Sequence, residues 1–154
     1  MLSTITQRQA FQIIFAVALI TILGAWIFEY AGYPPCELCL KQRIAYYLAI
    51  PISLLMVLLY GQSSALQKNA MIVLALIMLA SCLFGIYHSG VEWKFWEGPT
   101  ECTGDFTGGL PDLTKKAVMC DQPAIRILGV SLAGYNAVIS AVLSVIAFSK
   151  MNKS

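Results

Sequence analysis

The chain has 154 residues, of which 58% are apolar and only 12% charged, whereas an average globular domain carries roughly 25% charged residues. That composition excludes an ordinary soluble domain, and a net charge of +2 without any run of Lys or Arg excludes a nucleic-acid-binding arm. The remaining class is a protein surrounded mostly by hydrocarbon.

A hydrocarbon core of about 30 Å takes around 20 apolar helical residues to cross. Four windows meet that need, Phe11 to Tyr30, Ile44 to Tyr60, Ala70 to Tyr87 and Ile127 to Phe148. They predict an all-α membrane protein, a four-transmembrane-helix bundle in which residues 1–154 form one integral membrane domain. The first window runs long for a signal peptide, and no small-residue cleavage pattern precedes Tyr30-Ala31-Gly32-Tyr33-Pro34-Pro35, so it is expected to stay in the mature protein.

Four crossings put both termini and the Tyr60 to Asn69 loop on one side, and the Ala31 to Arg43 and His88 to Arg126 segments on the other. All eight carboxylates lie toward the second side, and the first holds only Arg8, Lys68, Lys150 and Lys153. The raw Lys plus Arg count is six to four in favour of the second side, so the positive-inside rule orients the chain weakly. The cysteines settle the orientation. Cys36, Cys39, Cys102 and Cys120 all fall in the second side's segments, and clustered pairs suit an oxidising compartment. The expectation is cytoplasmic termini with two extracytoplasmic loops, the second long.

The first outer segment, Pro34-Pro35-Cys36-Glu37-Leu38-Cys39 followed by Leu40-Lys41-Gln42-Arg43, carries the most chemistry. Two prolines end one span, and the cysteines stand where the next helix begins. Cysteines three apart at a helix start can close a readily reduced ring, and the positive end of the helix dipole favours a thiolate there. Arg43, four residues after Cys39, shares its helical face and adds a fixed cation. Such a charge at the lip of a span either snorkels to the interface or serves a site; the spacing from Cys39 favours a site.

Along the second span's loop, Tyr60 to Asn69 reads as a tight turn between antiparallel neighbours. Cys82, inside the third span, reads as a small buried apolar residue. His88, the only histidine, falls at that span's end, where it either snorkels or exchanges a proton with a bound acceptor at the depth of Arg43. Val91-Glu92-Trp93-Lys94-Phe95-Trp96 follows, an aromatic and charged stretch that either lies on the membrane surface or caps the third span.

Cys102 and Cys120 share the rest of the long, glycine-rich loop. A disulfide closing that loop is the natural reading, either as a brace or as the electron donor to the first pair through thiol-disulfide exchange. Four cysteines still allow three pairings. In the last span Ala133, Ala137 and Ala141 recur every four residues, so another helix can approach closely, with Asn136 hydrogen-bonding across the contact.

Four spans, Cys36-Glu37-Leu38-Cys39 followed by Gln42-Arg43, a histidine at position 88, and Cys102 and Cys120 in the second outer loop together resemble the DsbB family of bacterial quinone-linked disulfide oxidases. The resemblance implies an inner-membrane enzyme whose cofactor is a quinone, ubiquinone or menaquinone, and whose partner is a periplasmic DsbA-like thioredoxin-fold protein. It implies that Cys36 and Cys39 are the quinone-linked pair, with Cys39 the thiolate that contacts the quinone and Arg43 the quinone-site cation. Cys102 would form the mixed disulfide with the partner, and Cys120 would be its pair-mate. Two other classes compete: a metal-binding membrane module with four thiolate ligands, and a structural membrane protein braced by disulfides.

Overall fold

A computed structural model describes residues 5–61, 63–98, 120–123 and 125–151. Among them are four helices, α1 (Gln7–Tyr30), α2 (Glu37–Leu58), α3 (Ser64–Glu92) and α4 (Leu132–Lys150), and a two-stranded hairpin of β1 (Arg126–Ile127) and β2 (Val130–Ser131) ahead of α4. All four helices are long and apolar enough to cross a membrane.

Each helix starts on a side-chain cap. Thr6 and Gln9 form a reciprocal capping box on α1, and Ser63 and Ser131 accept from backbone N–H groups three residues on in α3 and α4. α1 stops at Ala31 and Gly32, where a φ of 94° takes a left-handed conformation that glycine adopts without a Cβ penalty, and Pro34-Pro35 prevents resumption. α3 ends on a Schellman turn, in which the Phe95 N–H donates to the Gly90 carbonyl and the Lys94 N–H to that of Val91.

The helices outrun the apolar windows. α2 begins seven residues before the expected Ile44, because Cys36 caps it and a Glu37–Lys41 pair at 2.6 Å supports its polar first turn. α3 begins at Ser64, six residues before Ala70, so the connection expected from Tyr60 to Asn69 shrinks to a few residues. It also continues to Glu92, placing His88 inside the helix. Only α4 starts late: Ile127 to Val130 form the hairpin instead of a first helical turn. Leu128 (φ 50°) and Gly129 (φ 82°) are consecutive left-handed residues, the geometry of a tight primed turn, and Ser131 then caps a helix from Leu132.

In the bundle α1 packs on α2, α2 on α3, and α3 most extensively on α4. The core joins Phe11, Ile14 and Ala18 of α1 to Tyr46 and Ala49 of α2, Met71, Leu74 and Met78 of α3, and Leu143 and Ala147 of α4. Closest approach falls at Gly85, where an added Cβ would stand 2.9 Å from the Ala137 nitrogen. Of the three small residues expected there, Ala137 makes this contact, Ala133 is buried and Ala141 half-buried. Asn136 bonds across the interface as its position implied, accepting from the Tyr46 hydroxyl at 2.5 Å and donating to the Ser81 carbonyl at 3.5 Å. Large side chains such as Ile27, Leu58, Leu83 and Val142 face outward at 50% exposure or more, which fits a bilayer and would be a liability in water.

Candidate active site

Cys36 is the N-cap of α2, and its sulfur accepts from the Cys39 N–H at 3.2 Å. One helical turn brings the two sulfurs together, 2.6 Å apart, both as free cysteines. Cys36 is buried and Cys39 half-buried. The hydrogen bond to Cys39, and after it burial, pushes the Cys36 thiol well above its usual range.

His88 lies behind Cys36, only 1% exposed. Its Nε2 is 3.6 Å from the Cys36 sulfur and 3.8 Å from a Glu92 carboxylate oxygen, and its Nδ1 is 3.1 Å from the Gln42 amide nitrogen. Cys120 is disulfide-bonded and packs with Cys36 and Leu38 in a small cluster closed by Cys39, Phe84 and Tyr87. Cys102 lies outside the described residues.

Above this cluster the aromatic stretch turns back on α3. The Trp96 ring stacks on Tyr87 with centroids 6.0 Å apart and 5° between planes, and its Nε1–H donates to the Tyr87 carbonyl at 2.8 Å. Trp96 thus folds back on the end of α3, while Trp93 and Phe95 stay exposed.

On its other side Cys39 opens onto a cavity of about 310 Å³ between α1, α2 and α4. Its walls are mostly apolar, with Ile20, Ile22, Phe28, Pro35, Leu132 and Ile139, and Cys39, Gln42, Arg43, Tyr46 and Asn136 are among its polar residues. Arg43 does not snorkel freely: its Nη1 donates to Glu29 at 2.7 Å, across from the last turn of α1. An apolar chamber with a few polar groups at one end is the usual form of a small-molecule site, and here one of those groups is a thiol.

Cys36, Cys39, His88 and Cys120 thus gather at one end of the bundle, and Arg43 joins Cys39 in the cavity wall. His88 stands against Cys36 and is not among the residues that line the cavity. Cys82 is half-buried with a free thiol on α3. Glu29, Tyr46 and Glu92 were not singled out from the sequence, and Gln42 entered only as part of the family likeness. For Glu92 a signal existed, since it follows His88 by four residues and shares its helical face; Glu29 and Tyr46 gain their positions only from packing between helices.

Two chemical groups can be tested against the site. Cys36, Cys39 and His88 bring three ligand atoms within 4.8 Å of one another, whereas two thiolates on one zinc at about 2.3 Å each would sit roughly 3.8 Å apart in a tetrahedron, farther than the 2.6 Å between these sulfurs. A flat, apolar ring with carbonyl oxygens fits the cavity, with Arg43 to receive an oxygen and Cys39 at its wall.

A membrane bundle that holds a free dithiol against a disulfide-bonded cysteine defines a disulfide-forming membrane protein. The family model for the disulfide bond formation protein DsbB matches residues 7–149, and the chain belongs to the DsbB family. An uncharacterized protein of Rickettsia prowazekii (strain Madrid E) is 30% identical over 141 residues, covering 85% of this chain and 80% of that protein. No solved structure matches the chain significantly.

Proposed function

We propose that this protein reoxidises a periplasmic DsbA-like dithiol protein and passes the electrons through two cysteine pairs to a membrane quinone. The observation that carries this reading is the two-sided environment of the first pair, with Cys36 packed on Cys120 and Cys39 open to the apolar cavity beside Arg43. In this reading the protein sits in the bacterial inner membrane with its termini cytoplasmic and its cysteine-bearing loops periplasmic.

Thiol-disulfide exchange sets the order of events. The partner's thiolate attacks a Cys102–Cys120 disulfide at Cys102, and Cys120 leaves as a thiolate. That thiolate attacks Cys36, a Cys120–Cys36 bond forms, and Cys39 leaves with the electron pair of the broken bond. The partner's second thiol then frees Cys102, which attacks Cys120 and releases Cys36. The partner has lost two electrons and two protons, and the Cys36–Cys39 disulfide has become a dithiol. A bound quinone supplies the two-electron acceptor that recloses it. For this, Arg43 orients the acceptor's oxygen, the apolar walls exclude water, and Cys39 is the sulfur through which the electrons leave.

Purified protein mixed with a reduced thioredoxin-fold substrate and a quinone is expected to reduce the quinone, and Cys39→Ser to abolish that reduction. Quinone left unreduced by the wild type would overturn the reading. A protein merely braced by its cysteines would instead lose stability in Cys39→Ser without any electron transfer to lose.

A further inference from the structure

Gln42 and His88 are both buried, at 8% and 1% exposure, and their contact fixes where the imidazole carries its hydrogen. A neutral imidazole has one N–H and one bare nitrogen, while the amide nitrogen of glutamine only donates. With the Gln42 amide 3.1 Å from Nδ1, Nδ1 accepts and the hydrogen sits on Nε2. The other side of the ring agrees. Nε2 faces the Glu92 carboxyl at 3.8 Å and the Cys36 sulfur at 3.6 Å, each able to accept from an N–H there. Turning the Gln42 amide over would move the hydrogen to Nδ1 and leave none on Nε2 to face the Cys36 sulfur.

We propose that Gln42 is a positioning residue that locks His88 with its hydrogen on Nε2, so that His88 cannot take the Cys36 proton and Cys39 is left as the thiolate of the reduced pair. The donors then point one way, from Gln42 to His88, from His88 to the Cys36 sulfur, and from the Cys36 S–H to Cys39, 2.6 Å away. A bare Nε2 in the same place would be a base for Cys36, as in enzymes that pair a cysteine with a histidine. The negative charge would then move to Cys36, which the cavity does not reach. The burial of the Cys36 thiol and its bond to Cys39 work in the same direction as the lock. This inference rests on the pair being redox-active, as proposed above, and not on the identity of the electron acceptor.

The test is limited alkylation of the full-length protein, reduced in detergent, with iodoacetamide between pH 6 and 9, followed by peptide mass spectrometry. Thiolates alkylate and thiols do not, so the wild type is expected to label Cys39 at least about tenfold faster than Cys36. Gln42→Leu removes the donor and Gln42→Glu replaces it with an acceptor of the same size; each is expected to raise Cys36 labelling severalfold at pH 7, with Cys39 labelling falling. The His88→Gln background contains no ring to lock. There Gln42→Leu is expected to change neither rate, which a simple packing role for Gln42 would not predict. Unchanged selectivity in both Gln42 variants, or an equal shift in the His88→Gln background, would overturn the proposal. A wild type that labels with this Gln42-dependent selectivity yet reduces no quinone would sink the quinone reading and leave this inference standing.

Discussion

Arg43 and Glu29 meet at 2.7 Å across the mouth of the cavity, joining the first turns of α2 to the last turn of α1. A carboxylate at a helix C-terminus opposes the macrodipole, and Arg43 offsets that cost while its guanidinium stays in the cavity wall beside Cys39. The carboxylate holds the cation in place, and it also competes with any acceptor oxygen for the same N–H groups.

Replacing Arg43 should therefore injure acceptor use more than thiol exchange. Arg43→Ala is expected to raise the KM for quinone at least about tenfold, the loss of one charge-assisted hydrogen bond, with exchange between the two cysteine pairs largely intact. Glu29→Gln, which keeps a hydrogen-bond acceptor but removes the competing charge, is expected to move KM by less than Arg43→Ala does. Steady-state kinetics with varied quinone, alongside stopped-flow thiol exchange, separate the two effects. Unchanged quinone kinetics in Arg43→Ala would remove Arg43 from the site.

The contact between α3 and α4 depends on having no side chain at Gly85. A methyl group there would press on the Ala137 backbone nitrogen at 2.9 Å and Cα at 3.0 Å, and backbone cannot rotate away as a side chain can. Gly85→Ala is expected to destabilise the bundle by about 1–3 kcal/mol, and Gly85→Val by more. Thermal unfolding in detergent checks this, and a Gly85→Val protein as stable as wild type would contradict the close approach.

Tyr46, Asn136, Ser140 and Ser81 form a buried hydrogen-bonded set linking α2, α4 and α3, with the Tyr46 hydroxyl 3.0 Å from Ser140 and Ser140 donating to Ser81 at 2.9 Å. Removing one member leaves others without partners inside the membrane. Tyr46→Phe and Asn136→Leu are each expected to cost about 0.6–2 kcal/mol, and the double variant to cost less than the sum because the two share a bond. Additive losses in a double-mutant cycle would show that the pair is not coupled.

Much of the fold was legible in the sequence because crossing a membrane imposes a simple rule, about 20 apolar residues per helix. The four helices followed from that rule, as did the family likeness from Cys36-Glu37-Leu38-Cys39 with Gln42-Arg43. Helix ends were less legible. Hydropathy windows stop at the first polar residues, whereas α2 and α3 continue through theirs on caps and ion pairs, and Gly129 turns an apolar run into a hairpin.

What the sequence determined by itself was the membrane class, the clustering of the cysteines toward one side, and the proximity of Cys36 to Cys39, all consequences of local spacing. Only the tertiary structure decided which of those two sulfurs faces Cys120 and which faces the cavity, that Glu29 holds Arg43, and that His88 lies against Cys36 with Gln42 on the other side of its ring. These relations join residues 14 to 84 positions apart. They depend on how four helices turn about one another, and side-chain packing between helices sets that turn.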